Sequence, residues 1–453
     1  MKKAVSQQER TRQLLEEPVD KLIISLAGPS VASMLITSIY NMADTYFVSQ
    51  LGTSASGAVG VTFSIMTLIQ AFAFMIGQGS GNNMSRELGA GRREEAKVYV
   101  AICFFTELIV GTLLAVLALI FMDRLVFWLG ATETIAPYAK DYARWIVVGF
   151  PFIMASFGLN NILRFQGNAS LGAIGMMTGG ILNMVLDPVL IFGFGLGTAG
   201  AAIATTLSQM ISFGILTWLC NHKAQSIKIE FRNFKPTLAL YGKVAHIGLP
   251  SLARQGIMSL SNIVFNHAAG PYGDACIAAF SIVNRYMGLL CSAVIGIGQG
   301  FQPVCGQNIG AGNKKRVREA YFFLLKSTFV VLTTLAVISF IFAPGIIRLF
   351  RKDDVDVILI GTRLLRFEAV TLPTFAMLNS ANMFSQTMGF GVKASMIAAL
   401  KSGFCLIPLV LTLPAFFGMN GLIYAQPLSD VISASIGFLM IRPVLARLKT
   451  ETV

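Results

Sequence analysis

Apolar residues along this chain run in long blocks separated by short polar stretches rather than in short periodic runs. A helix needs about 20 apolar residues to cross a bilayer core. Twelve blocks fit that requirement, at about 20–48, 55–80, 97–122, 136–160, 170–192, 197–220, 242–268, 276–300, 317–343, 356–382, 394–416 and 419–441. Glycines and prolines interrupt many of them, which membrane helices tolerate because neighbours satisfy the freed backbone groups. The pattern predicts an all-α integral membrane protein with twelve transmembrane helices.

Composition agrees with this. Of 453 residues, 55% are hydrophobic and 13% charged, where a soluble protein averages about 25% charged. That excludes a water-soluble enzyme, a disordered chain and a coiled coil. The polar opening MKKAVSQQERTRQLLEEPVDK lacks the apolar core of a signal peptide, so the first block reads as a retained helix. The six cysteines form no CxxC pair and read as small buried residues, not a disulfide framework.

The net charge of +13 raises nucleic acid as a partner, but the placement of the cations assigns it elsewhere. With the N-terminus inside, the inner segments hold Lys2, Lys3, Arg10, Arg12, Lys21, Arg86, Arg92, Arg93, Lys97, Arg164, Lys223, Lys228, Arg232, Lys235, Lys243, Lys314, Lys315, Arg316, Arg318, Lys326, Lys393, Lys401, Arg442, Arg447 and Lys449. The outer segments hold only Arg124, Lys140, Arg144, Arg348, Arg351, Lys352, Arg363 and Arg366. This is the positive-inside bias, and it predicts both termini in the cytoplasm.

An internal repeat organises the chain. LAGPS (26–30) returns as IGLPS (247–251), GQG (77–79) as GQG (298–300), and LGAGRREEA (88–96) as IGAGNKKRV (309–317), all at an offset of 221. Each half holds six crossings, an even number, so both enter the membrane in the same orientation. The expected architecture is two six-helix lobes in a parallel repeat, related by a pseudo-twofold along the membrane normal. The N-terminal lobe covers 1–220, a cytoplasmic linker 221–241, and the C-terminal lobe 242–453. Such pairs usually place substrate between the halves and rock between inward-open and outward-open forms.

Polar residues inside membrane spans are costly and hence functional candidates. In the first half these include Asn41, Asp44, Glu107, Asn160, Asn161, Asn183, Asp187, Thr205 and Gln209. Asn41 and Asp44 share one helix face at i, i+3, as do Asn183 with Asp187 and Thr205 with Gln209 at i, i+4. Pro29 lies in the same helix as Asp44, where it can kink it. In the second half, Arg254, Gln255, Arg285 and Asp430 are the candidates for the substrate cavity. Two readings stand: Arg285 pairs with Asp430 inside the lobe, or an arginine faces the cavity and takes an anionic substrate. Glu107 reads equally as structural or functional.

Five stretches carry a resemblance. YNMADTYFVSQLG (40–52), GQGSGNNMSRELGAGRREEA (77–96), RFQGNAS (164–170), NMVLDPVLIFGFGLGTAGAAIAT (183–205) and GQGFQPVCGQNIGAG (298–312) resemble the multidrug and toxic compound extrusion (MATE) family, in its prokaryotic branch that couples through the N-terminal lobe. The resemblance covers nearly the whole chain. It implies antiport of H⁺ or Na⁺ against organic, often cationic, compounds, with no cofactor and no enzymatic activity. It gathers Asp44, Asp187, Asn183, Asn160 and Thr205 around one polar cavity, with Na⁺ at Asp44, Asp187 and Asn183 as an option, and assigns bending of the first helix to Pro29. Relatives with acids in the seventh and tenth helices are not matched well, since the seventh has Arg254 and Gln255 and the tenth has Glu368 near its outer end. The implied partners are small organic substrates and the bilayer, with the monomer as the working unit.

The chemistry is consistent with that role. Burial penalises a charged carboxylate, and two in one pocket repel. A proton or a cation relieves both costs, and a cationic drug competes for the same place. Affinity differences of ~1–3 kcal/mol between states suffice for coupling. The many Met and Phe residues suit a soft, promiscuous cavity, although most of them pack the core or face lipid. Two other transporter readings stand beside this one: a lipid-linked sugar flippase of the same superfamily, which favours a cationic cavity, and a major-facilitator exporter. Three motifs are set aside. Gly195, Gly197 and Gly200 spell GxGxxG without a strand before them. Asn168–Ser170 is a glycosylation triplet on a cytoplasmic loop. His222, His246 and His267 lack metal-ligand spacing.

Overall fold

The structure, a computed structural model, describes residues 6–223, 226–350 and 354–450. Lys2, Lys3, Arg351 and Lys352 of the charge pattern lie outside them. The described chain is helical, and lipid explains why: with no water to pair backbone groups, only a helix or a closed barrel satisfies them internally. A short surface helix, α1 (Gln7–Glu16), is followed by α2 (Val19–Ser49), α3 (Thr53–Gly89), α4 (Arg93–Ile120), the short α5 (Met122–Trp128), α6 (Ala136–Phe165), α7 (Ala169–Pro188) and α8 (Gly197–His222). After the linker come α9 (Leu238–Ala269), α10 (Asp274–Gly310), α11 (Lys314–Phe350), α12 (Val355–Thr371), α13 (Thr374–Thr387), α14 (Gly391–Ala399), α15 (Leu406–Phe417) and α16 (Met419–Thr450).

These make twelve crossings, six per lobe. Ten are single runs long and apolar enough to span a membrane on those grounds alone. The other two are α9, which is more polar, and the pair α12–α13, which breaks at Leu372–Pro373 inside the block read as 356–382. Two crossings contain a π-helical turn. Val189–Gly193 continues α7 after Pro188, and Leu400–Cys405 joins α14 to α15.

The repeat in sequence is a repeat in conformation. Turn glycines with positive φ recur at 221 residues: Gly52 (117°) with Gly273 (90°), Gly91 (75°) with Gly312 (74°), and Gly197 (56°) with Gly418 (57°). A side chain disfavours that backbone region, so both lobes need glycine at the same corners.

The repeated glycine motifs also form the seam between lobes. A Cβ on Gly89 would lie 1.9 Å from the carbonyl oxygen of Gln307, and one on Gly310 would lie 2.0 Å from that of Arg86. Residues 86 and 307 are themselves 221 apart, so the contact is reciprocal. Gly79 meets Val244 of α9, Gly248 meets Met75 of α3, and Gly296 and Gly300 meet Val31 and Ala27 of α2. The α2–α10, α3–α9 and α3–α10 crossings thus bring backbones of the two lobes together at the end that carries the linker. In the far halves of the same helices, Gly60, Gly256 and Gly288 have no atom within 4 Å of such a Cβ.

Candidate functional site

Two adjacent glycines position the N-lobe site. Gly179 lets α7 approach α8 at Ser208 and Ser212, and Gly180 lets it approach α2 at Ile36 and Tyr40. With α7 wedged between them, Asn183 and Asp187 lie one and two turns further on, between both neighbours. Asn183 Nδ2 donates to Asp187 Oδ1 at 3.0 Å and to Thr205 Oγ1 at 3.1 Å. Asp44 is buried on α2, where the Tyr142 hydroxyl of α6 donates to its Oδ2 at 3.2 Å. Asp187 lies within electrostatic reach of Asp44.

Asp44, Asn183, Asp187, Thr205 and Gln209 are each at most 8% exposed. Four of their oxygens have no hydrogen-bond partner: Asp44 Oδ1, Asn183 Oδ1, Asp187 Oδ2 and Gln209 Oε1. Buried polar atoms normally find partners, and each exception needs an explanation. All four are acceptors, which a proton, a cation or another donor can satisfy. Tyr40, Gln70, Thr205 and Gln209 line a small pocket alongside Met66, Ile69, Phe150, Ile153 and Phe157. The pocket is apolar with a few polar groups, and it is far smaller than an organic ligand needs.

The structure brings together Asp44, Asp187, Asn183 and Thr205, with Gln209 beside them. Asn41 is half-buried three residues before Asp44. Asn160 does not join this group. Its side chain packs against Gly172, 15 residues before Asp187 on α7, roughly 22 Å along a helix that rises 1.5 Å per residue. Glu107 is also separate: its carboxylate is buried against Gly158 between α4 and α6. Pro29 lies inside α2, which stays helical throughout. Tyr142 and Tyr40 are additions, and spacing alone does not pick a functional tyrosine out of an apolar helix.

The C-lobe corrects three expectations. Asp430 pairs with Lys401, whose Nζ lies 3.2 Å from Oδ1, and not with Arg285. Lys401 is therefore not a loop cation: it sits in the π-helical turn within the α14–α15 crossing. Glu368 is not near an outer end either. It is 4% exposed in the last turn of α12, at the break within the tenth crossing. Arg254 and Gln255 are half-buried on α9, Arg285 is exposed on α10, and no described carboxylate pairs with either arginine. At the linker end, Arg164 is fully buried rather than solvated, donating to Asn161 and lying 4.9 Å from the Phe165 ring centroid.

With this geometry in hand, comparison with known proteins is specific. The MatE family model matches residues 29–189 and again 250–412, two stretches whose starts are 221 apart. The chain belongs to this family, multidrug and toxic compound extrusion, a family of multi-pass membrane transporters. It is 30% identical over 344 residues to a FAD transporter of Shewanella oneidensis, covering 75% of this chain and 76% of that protein. It is 25% identical over 440 residues to the multidrug export protein MepA of Staphylococcus haemolyticus, covering 96% of each. A solved structure described as the outward-facing conformation of a multidrug-resistance MATE transporter superposes with a TM-score of 0.92 at 26% identity, over 99% of each chain. The chain is thus a transporter of the MATE family, similar to multidrug export proteins, and the major-facilitator reading is set aside.

Proposed function

We propose that this chain exports organic compounds across a prokaryotic cytoplasmic membrane by antiport against H⁺ or Na⁺. The N-lobe cluster of Asp44, Asp187, Asn183 and Thr205 is the coupling site. The observation that supports this most directly is the set of four partnerless acceptor oxygens on Asp44, Asn183, Asp187 and Gln209. A proton on either carboxylate supplies a donor, and Na⁺ supplies a charge to hard oxygen ligands. Either relieves two buried negative charges at once. An organic cation entering between the lobes competes for the same charge, and alternation between a form closed at the linker end and one open there converts competition into exchange. Both termini and the linker face the cytoplasm, in line with the positive-inside bias. One chain holds both lobes, which fits a working monomer.

Reconstituted protein tests this. Asp44→Asn and Asp187→Asn are expected to abolish efflux driven by a pH or Na⁺ gradient while eluting as folded protein. Full efflux by both variants would sink the coupling site. Arg254 and Arg285, which have no described acidic partner, support including anionic compounds in the substrate panel, as does the relative named for FAD. Loss of anionic but not cationic transport in Arg285→Ala is the outcome that reading requires.

A further inference from the structure

Lys401 carries an ammonium group into the middle of a membrane crossing, where charge is retained for pairing or for function. Its Nζ lies 3.2 Å from Asp430 Oδ1 and 4.5 Å from the centroid of Phe375. Gln426 Nε2 donates to the same Oδ1 at 3.0 Å, and the Ser429 hydroxyl donates to the Lys401 carbonyl at 2.6 Å, tying the π-helical turn to α16. Glu368 faces the pair from α12 and Cys291 from α10, both within electrostatic reach. Asp430 thus pairs with Lys401, which also lies over the Phe375 ring, and Glu368 is a second buried acid in their neighbourhood.

The N-lobe differs at the matching places. Counting back 221 residues, Gln209 stands for Asp430 and Gly180 for Lys401. The N-lobe carboxylates Asp44 and Asp187 have no described lysine or arginine as partner. One lobe has acids without a cation, and the other has acids with a cation built into the chain.

We propose that Lys401 is a tethered counter-ion that fills the cation place at Asp430 and Glu368 and keeps inorganic cations from binding in the C-lobe. The ammonium is a compact point charge on a flexible stem. Being covalently attached, it competes at an effective concentration no free ion matches at ordinary salt. Ion binding is thereby confined to the N-lobe; this last clause rests on the coupling site proposed above, whereas the occupancy of the C-lobe acids does not.

The test uses purified full-length protein carrying Asp44→Asn and Asp187→Asn, so that the N-lobe is silent. Radioactive sodium binding and thermal unfolding are measured at mildly alkaline pH in Na⁺ and in an organic-cation buffer. With Lys401 present, we expect no saturable binding and the same Tm in both. Lys401→Gln should gain saturable Na⁺ binding and a Tm that rises with Na⁺, and both should vanish on adding Asp430→Asn. Should Lys401→Gln not fold, Lys401→Gln with Glu368→Gln restores the net charge of the cluster and carries the same expectation. Asp430-dependent Na⁺ binding with Lys401 intact overturns the proposal. So does its absence from both lysine variants. Efflux by the N-lobe variants is read separately, so the two ideas fail independently.

Discussion

At the residue scale, the N-lobe cluster was largely legible because polar side chains inside a span are few and their spacing is informative. Asn183 and Asp187 at i, i+4 must share a face, and Thr205 of α8 accepts from Asn183. Asn160 shows the limit of that reasoning: it is as polar as Asn183 but sits at another depth, against Gly172. Tyr142 was invisible for the opposite reason, as a hydroxyl on an otherwise ordinary apolar helix. Among the described residues its hydroxyl is the one hydrogen-bond donor to Asp44, so Tyr142→Phe should leave a buried carboxylate without a hydrogen bond. That is worth about 1.5–3 kcal/mol. We expect efflux to fall about tenfold or more with folded protein retained, measured as transport rate against thermal stability.

At the element scale, the informative features are interruptions. Pro29 removes one backbone donor within α2, four turns from Asp44, without breaking the helix. If bending at Pro29 accompanies transport, Pro29→Ala should slow efflux while leaving substrate binding within about twofold, a difference under ~0.5 kcal/mol. The glycine seam makes a second prediction. No side chain fits between Gly89 and the Gln307 carbonyl oxygen, 1.9 Å from the would-be Cβ. Gly89→Ala should therefore force α3 and α10 apart at the linker end. Cys305, fully buried on α10, should then react with a small thiol reagent about tenfold faster, equivalent to ~1.4 kcal/mol in opening free energy, as read by mass spectrometry.

At the scale of the whole molecule, α1 spans both lobes. On the N-lobe, Gln7 donates to the Gln166 carbonyl at 3.4 Å and Arg10 to that of Gly167 at 2.9 Å. From the C-lobe, Asn308 donates to the Leu14 carbonyl at 3.1 Å and Arg316 to that of Glu17 at 2.5 Å. Leu14 is fully buried beneath this strap. The lobes cannot part at this end unless one set of bonds lets go. Arg316→Ala removes charge-assisted bonds worth about 1.5–3 kcal/mol each. Hydrogen exchange over residues 6–17 should accelerate accordingly, and labelling of Cys305 should rise with it.

The sequence by itself determined twelve crossings, their helical form and a parallel repeat at 221 residues, because a bilayer imposes length and backbone pairing locally. It also determined which acids the N-lobe would hold. Only the tertiary structure decided depth and azimuth. The π-helical turn at Leu400–Cys405 carries Lys401 to Asp430, and the break at Leu372–Pro373 leaves Glu368 in mid-span. Glycine approaches of under about 3 Å, a distance real Cβ contacts do not reach, set which helices of opposite lobes touch. These are matters of packing between distant segments, and hydrophobic pattern along one segment carries no information about them.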